Sequence, residues 1–222
     1  DIETVYGLIQ TLKKKYKIDK DRIYLTGLSM GGFGAWSLAI KYPGEFAAVV
    51  PICGGGDTSQ VWRLRHTAVW AFHGAKDNVV PLSSSENMIN ALKQYNPDVC
   101  FTVYPNAGHD SWSAAYTNDS LYSWLLRQKR FRHQVIRFPA EMLPSYTGRF
   151  VSGKQSIRIS FRGDKLLMTS GKKSQQLFPS SKDIFFVKEE DPFDVQFVRD
   201  SRGAIKSLLI MNAAKRKYTK LK

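Results

Sequence analysis

The sequence predicts an α/β domain built on a parallel sheet, followed by a small antiparallel β domain that forms a barrel or half-barrel. In the first 127 residues, apolar strand-like runs alternate with helix-like segments, and few polar residues interrupt the strands. That pattern is typical of a parallel sheet covered on both faces. Beyond Pro144, only short alternating runs remain, separated by Gly-containing turns, as in an antiparallel meander. The change of pattern predicts two domains, 1–138 and 139–222.

The elements of the first domain follow from apolar spacing and turn residues. Apolar side chains recur every three or four residues from Ile2 to Tyr16, which predicts an amphipathic helix. Pro43-Gly44 ends a second helix, and a run of three glycines follows an apolar strand. The other predicted helices are Met30–Tyr42, Ser83–Tyr95 and Asp119–Arg127, and the predicted strands are Arg22–Leu28, Phe46–Ile52, Thr67–His73 and Val99–Tyr104.

The second domain alternates with a period of two and shows no helical period. Ser-Gly-Lys, Arg-Gly-Asp and Ser-Arg-Gly segments separate many of its runs and favour turns. The basic tail Ala213–Lys222 is expected to fray. The predicted strands are Gly148–Val151, Ser156–Phe161, Lys165–Thr169, Ile184–Lys188, Val195–Arg199 and Ile205–Met211.

The composition predicts a globular chain without a membrane span. Of 222 residues, 43% are hydrophobic and 23% are charged, and no purely apolar run exceeds five residues. Two cysteines cannot form a disulfide scaffold, and no zinc motif is present, so neither a metal nor a cofactor is expected. The formal charge of +14 divides into +5 for residues 1–138 and +9 for residues 139–222. Because the basic residues are dispersed and form no recognisable motif with aromatics, no nucleic-acid partner is expected.

The motif Gly27-Leu28-Ser29-Met30-Gly31 lies between a predicted strand and a predicted helix. In this context, a tight turn with small residues on both sides of a serine raises the hydroxyl above the sheet edge. The turn strains the serine backbone and aims the next N–H group at a developing oxyanion. We therefore predict Ser29 as a nucleophile and the N–H group of Met30 as an oxyanion donor.

A serine nucleophile needs a base, and the chain contains four histidines. His66 and His133 lie in polar segments typical of a surface, and His73 ends a strand, where histidine more often fixes a turn. His109 lies in a loop between the last predicted parallel strand and the last helix. Since this is where the base of a Ser, Asp, His chain order belongs, we predict His109 as the base.

The carboxylate that orients the base should follow an earlier strand. Asp77 meets this requirement, because it lies in the loop after the predicted strand Thr67–His73. Asp57 follows the preceding strand, and Asp110 is adjacent to the base in sequence. Asp77 is therefore the predicted acid, with Asp57 and Asp110 as the alternatives.

Three segments that carry these residues resemble the second half of an α/β-hydrolase of the predicted-peptidase and carbohydrate-esterase type. This group is related to polyhydroxybutyrate depolymerases, feruloyl esterases and the prolyl oligopeptidase clan. The resemblance implies Ser29, Asp77 and His109 as nucleophile, acid and base, and it implies a secreted or periplasmic location. The matching segments are Asp21–Gly34, Phe72–Pro81 and Gly108–Trp112.

The resemblance also implies features outside these segments. Residues 145–222, which begin Ser145-Tyr-Thr-Gly-Arg-Phe150, are similar to a small lipocalin-like β domain that follows some serine-hydrolase domains. In such hydrolases about half of the sheet precedes the nucleophile, together with a loop that normally donates a second oxyanion N–H group. We therefore expect an N-terminal half of the same enzyme as the partner of this chain, and no activity is expected from the fragment alone.

These features together predict a serine hydrolase that cleaves a carboxylic ester, with a small-molecule or carbohydrate-linked ester as substrate. Trp62 and Trp112 are candidates for the apolar walls of the substrate site, with core packing or surface placement as the alternative. A serine peptidase with the same triad is the enzymatic alternative. The non-enzymatic alternative is a binding module in which the basic β domain recognises a partner and the hydrolase is inert. The presence of all three triad residues in order favours the enzyme.

Overall fold

The computed structural model describes residues 1–188 and 192–221 and divides the chain into two compact units. The units are Asp1–Arg132 and His133–Lys222. The domain limits 1–138 and 139–222 stay a prediction. None of the helices in the two described ranges is long and apolar enough to cross a membrane.

The first unit contains a four-stranded parallel sheet in the order β1-β2-β3-β4. The predicted helices and strands are present, with ends that differ by one or two residues. A 3-10 helix, Thr58–Leu64, and the helix α4 are too short for a periodic pattern and are absent from the prediction. The strands are β1 (Tyr24–Leu28), β2 (Ala48–Ile52), β3 (Ala68–Gly74) and β4 (Cys100–Tyr104), and the helices are α1 (Ile2–Lys15), α2 (Met30–Lys41), α3 (Leu82–Lys93), α4 (Trp112–Tyr116) and α5 (Asp119–Arg127).

Alternation along the strands sends apolar side chains to both faces of this sheet. On one face, Val49 of β2 packs in a cluster with Trp36 of α2 and Met88 of α3. On the other face, the neighbouring Val50 belongs to a cluster that includes Leu121 of α5. Both faces are therefore covered by helices, as the near-continuous apolar strands predict.

The second unit is a closed antiparallel barrel of eight strands, which confirms the predicted β-barrel class. Each strand pairs with the next along the chain, and the last strand pairs back with the first. A 3-10 helix, Ala140–Met142, and α6 (Leu143–Tyr146) precede it. The strands are β5 (Gly148–Ser152), β6 (Gln155–Arg162), β7 (Lys165–Ser170), β8 (Lys173–Pro179), β9 (Ile184–Phe186), β10 (Asp194–Arg199), β11 (Ile205–Met211) and β12 (Arg216–Lys220).

Two of these strands differ from the sequence-based expectation. The tail predicted to fray forms β12, whose Tyr218 is only 7% exposed and belongs to the barrel core. That expectation is wrong because pairing with β11 and β5 outweighs the repulsion of a basic segment. Strand β8 is absent from the prediction because Leu177 is its single fully buried side chain.

Candidate active site

The carboxyl ends of β1, β3 and β4 bring Ser29, Asp77 and His109 together. His109 Nε2 lies 3.0 Å from Ser29 Oγ, and His109 Nδ1 lies 2.8 Å from Asp77 Oδ2. These residues meet because the carboxyl ends of parallel strands share one edge of the sheet. The three residues that the sequence predicts as a triad therefore form one continuous chain of hydrogen bonds.

Ser29 occupies a sharp turn between β1 and α2. Its backbone has φ 51° and ψ −120°, a conformation that a residue with a side chain rarely adopts. The Ser29 N–H group donates to Ile52 O at 3.0 Å, which anchors the turn to β2. A Cβ on Gly27 would lie 2.1 Å from Gly31 O, so only glycine fits at position 27. Gly31 has open space at its own Cβ position, so the steric demand of the turn rests on Gly27.

Met30, the predicted oxyanion donor, is the first residue of α2. The first N–H groups of a helix have no acceptor within the helix, and the helix dipole places positive partial charge beside them. The Met30 side chain is 86% exposed, so the role that the sequence assigns to this residue depends on its backbone alone.

The Asp77 side chain is fully buried, and both of its oxygens are hydrogen-bonded. Oδ1 accepts the N–H groups of Val79 and Val80, each at 2.9 Å, while Oδ2 faces His109. Desolvation raises the pKa of Asp77, but the hydrogen bonds from His109 and from these two backbone groups lower it by more. Because the net pKa lies below the usual value, Asp77 is ionised at neutral pH.

Backbone contacts hold the loop that carries Asp77 against the loop that carries His109. The Lys76 N–H group donates to Ala107 O at 2.9 Å. A Cβ on Gly74 would lie 2.1 Å from Gly108 O, so the glycine at the end of β3 permits this close approach. The distance between acid and base is thus fixed by main-chain geometry.

The two tryptophans considered for substrate walls occupy different places. The Trp112 ring lies edge-on to the His109 ring, with centroids 5.3 Å apart and an interplanar angle of 89°. Trp62 is only 7% exposed, and the Arg65 guanidinium lies 5.8 Å from its ring centroid. The structure thus brings Trp112, but not Trp62, into contact with a triad side chain, and substrate contact by Trp62 stays a prediction.

The two alternative carboxylates act as caps of neighbouring segments. Asp57 accepts from the N–H group and the hydroxyl of Ser59, at 2.9 and 2.7 Å. Asp110 accepts from the N–H group and the hydroxyl of Ser113, at 3.1 and 2.9 Å. Both His109 ring nitrogens are engaged elsewhere, by Ser29 and Asp77.

Two residues at this edge have no role in the sequence-based prediction. His73 is fully buried, and its Nε2 lies 3.3 Å from Asp77 Oδ2, although the sequence suggested only a turn-fixing residue. Cys53 follows β2 with φ 40° and is also fully buried. The sequence points to Cys53 only by its position just after a predicted strand, because the loops that carry the triad begin at the same edge of the sheet.

Cys53, Asp77 and His109 are also the residues at this edge that could hold a metal ion. A Cys53 sulfur, an Asp77 oxygen and a His109 nitrogen lie within 4.8 Å of one another. Burial raises the pKa of the Cys53 thiol, which disfavours the thiolate that a metal would require. The Asp77 and His109 side chains are already joined by their hydrogen bond, so the arrangement suits proton transfer better than metal binding.

Three known proteins are similar to parts of the chain. A bifunctional acetylxylan esterase/xylanase, XynS20E, of Neocallimastix patriciarum is 29% identical over 128 residues, which are 56% of this chain and 18% of that protein. Poly(3-hydroxyalkanoate) depolymerase C of Paucimonas lemoignei is 42% identical over 52 residues, which are 23% of this chain and 13% of that protein. The crystal structure of a thermostable esterase matches with a TM-score of 0.56 and 39% identity, over 58% of this chain and 36% of that one.

The chain thus spans a minor part of the length of each of these relatives. Residues 3–120 match the dienelactone hydrolase family, and this range contains Ser29, Asp77 and His109. The resemblance to α/β-hydrolases of the carbohydrate-esterase type is confirmed by these similarities. Because the matched range is more than half of the sequence, the chain belongs to the dienelactone hydrolase family.

Proposed function

We propose that this site hydrolyses a carboxylic ester by covalent catalysis. The observation that carries the proposal is the chain of hydrogen bonds from Ser29 Oγ through the His109 ring to Asp77, at 3.0 and 2.8 Å. In each serine hydrolase of this kind, a base within hydrogen-bond reach activates the hydroxyl, and a carboxylate fixes the tautomer of the base. The membership of the chain in a hydrolase family supports the same chemistry.

The proposed reaction proceeds in two halves. Ser29 Oγ attacks the acyl carbon while His109 Nε2 takes the hydroxyl proton, and the N–H group of Met30 stabilises the oxyanion. His109 then gives the proton to the departing alcohol, which leaves an acyl group on Ser29. In the second half, His109 removes a proton from water, the hydroxide attacks the acyl carbon, and His109 returns the proton to Ser29 as the acid leaves. Asp77 holds Nδ1–H in place and stays ionised throughout.

The similarity to an acetylxylan esterase and a polyester depolymerase supports an ester as the substrate, and a carbohydrate-linked ester is the candidate that the first of these suggests. Trp112, edge-on to the His109 ring, offers an apolar surface beside the reacting atoms. A serine peptidase would use the same triad. Among the described residues, no further contact favours a peptide over an ester.

The test is a substrate panel applied to the full-length gene product. We expect turnover of p-nitrophenyl acetate and of acetylated xylan, and little cleavage of a peptide anilide. Ser29→Ala should lower kcat about 10⁶-fold, as loss of the nucleophile does in other serine hydrolases. Undiminished ester turnover by Ser29→Ala would contradict the proposal, and anilide cleavage faster than ester cleavage would favour the peptidase.

A further inference from the structure

His73 is a second histidine in contact with the carboxylate of the triad. It lies in β3, is fully buried, and directs Nε2 toward two oxygens: Val80 O at 3.0 Å and Asp77 Oδ2 at 3.3 Å. A carbonyl oxygen and a carboxylate oxygen are acceptors only. Nε2 therefore carries a hydrogen, which it donates to Val80 O, while Asp77 Oδ2 lies 3.3 Å from the same nitrogen.

The other ring nitrogen of His73 connects to helix α3. Nδ1 lies 2.7 Å from Ser85 Oγ, and Ser85 Oγ lies 2.8 Å from Gly54 O. The Ser85 hydroxyl has one hydrogen, and Gly54 O is an acceptor only. Both ring nitrogens of His73 are thus engaged, and the ring bridges helix α3 and the loop that carries Asp77.

The buried carboxylate of Asp77 needs partners that hold it in place. Its side chain is fully buried, and a buried carboxylate is tolerated when it is paired and hydrogen-bonded. Backbone N–H groups of Val79 and Val80 occupy Oδ1, which leaves Oδ2 to the two histidines.

We propose that His73 is a positioning residue for the catalytic acid. Held between Ser85 and Val80 O, its ring lies against Asp77 Oδ2 and fixes that oxygen at the distance from which it accepts His109 Nδ1–H. His73 touches neither Ser29 nor substrate, and it acts on the reaction only through Asp77 and His109. The proposal rests on the proposed function of the triad, and it replaces the turn-fixing role expected from the sequence.

The first test is nitrogen-15 NMR of the histidine rings in the full-length wild-type protein at neutral pH. The His73 signals are identified by their loss in His73→Asn. We expect a protonated Nε2 whose hydrogen signal survives solvent exchange, because the ring is buried and Nε2–H donates to Val80 O. An unprotonated Nε2, or a hydrogen that exchanges rapidly with solvent, would overturn this arrangement of the ring. Because this measurement needs no turnover, it stands whether or not the protein hydrolyses an ester.

The second test compares two substitutions of His73. One keeps the contact made by Nε2, and the other keeps the contact made by Nδ1. In His73→Gln, the amide nitrogen can take the place of Nε2, donate to Val80 O and stay in contact with Asp77. In His73→Asn, the shorter side chain can reach Ser85 but not Asp77. We expect His73→Asn to lower kcat about 10- to 100-fold with KM unchanged, the size of effect that loss of a partner of a metal-binding side chain has in metalloenzymes. His73→Gln should retain more of kcat than His73→Asn.

Ser85→Ala is the matched control, because it removes the contact of Nδ1 and leaves the contact between Nε2 and Asp77 in place. Its kcat should exceed that of His73→Asn, and thermal melting of all three variants reports on folding. Two results would contradict a positioning role and leave His73 with a structural role alone. The first is an equal loss of kcat in His73→Gln and His73→Asn, and the second is a change in melting temperature with kcat unaltered. If the wild-type protein hydrolyses no ester, the proposed function fails, while the NMR result still decides the state of His73.

Discussion

The two units each contain a carboxylate within a network of buried or partly buried side chains, and the networks differ in their partners. In the barrel, the Nε–H of Arg199 is shared between the two oxygens of Asp183, each at 3.0 Å, and Tyr146 Oη lies 3.1 Å from Asp183 Oδ1. In the α/β unit, Asp77 contacts His109 and His73. Both carboxylates are held by several donors, yet only the second is linked through a histidine to a serine hydroxyl.

The two networks differ in whether the partners of the carboxylate can exchange a proton near neutral pH. Hydrogen bonding to Asp183 raises the pKa of Arg199 above its already high value, and burial raises the pKa of Tyr146. Neither partner gives up its proton under ordinary conditions. Imidazole, in contrast, is the side chain whose charge changes most readily near neutral pH. A similar carboxylate geometry therefore stabilises a fold in one unit and suits catalysis in the other.

The largest expected difference between the two carboxylates is catalytic. Asp77→Asn in the full-length protein should lower kcat about 10⁴-fold, because the amide no longer holds the His109 tautomer that serves as base. Steady-state kinetics with p-nitrophenyl acetate measure this effect, and Asp183→Asn should leave kcat within a few-fold.

Asp57→Asn and Asp110→Asn are the controls within the α/β unit, because both carboxylates cap nearby serines. Each should cost far less kcat than Asp77→Asn. If Asp110→Asn were the most damaging of the three, the acid would be assigned to the wrong residue.

The second prediction concerns the barrel, where the effect should appear in stability. Arg199→Met removes the donors to Asp183 and also the 2.8 Å hydrogen bond to Tyr146 Oη. Loss of such charge-assisted hydrogen bonds should cost about 1–3 kcal/mol of unfolding free energy. Urea unfolding followed by the fluorescence and circular dichroism of the protein measures it. A fall in kcat of Arg199→Met without any loss of stability would contradict this division of roles.

The third prediction is smaller and depends on pH. The pKa of Asp77 is lowered in the folded protein, so its ionised form stabilises the fold above the ordinary carboxyl pKa. That contribution is lost as the pH falls from about 5 through the lower pKa of the folded state. The difference in melting temperature between the wild type and Asp77→Asn should therefore shrink on acidification. A difference that grows toward low pH would show that Asp77 is not stabilised as a carboxylate.

Much of this architecture could be predicted from the sequence, because local patterns of apolar residues and turns coincide with the elements of the fold. The alternation of apolar strands and helices predicts the parallel sheet, and the loops after its strands contain the triad. The pairing of β12 is not visible, because Lys215-Arg216-Lys217 resembles a solvated tail and only barrel closure gives that segment its partners. The contact between His73 and Asp77 is equally invisible, because it depends on how the loop after β3 folds back onto the strand.

Ser29 is the nucleophile of the proposed reaction, and covalent labelling tests this assignment most directly. The full-length protein is treated with a fluorophosphonate, digested, and mapped by mass spectrometry, with Ser29→Ala and His109→Ala treated in parallel. We predict one phosphonylated site, Ser29, with no labelling in Ser29→Ala and much slower labelling in His109→Ala. Labelling of another residue, or equal labelling of the wild type and His109→Ala, would contradict a serine activated by His109.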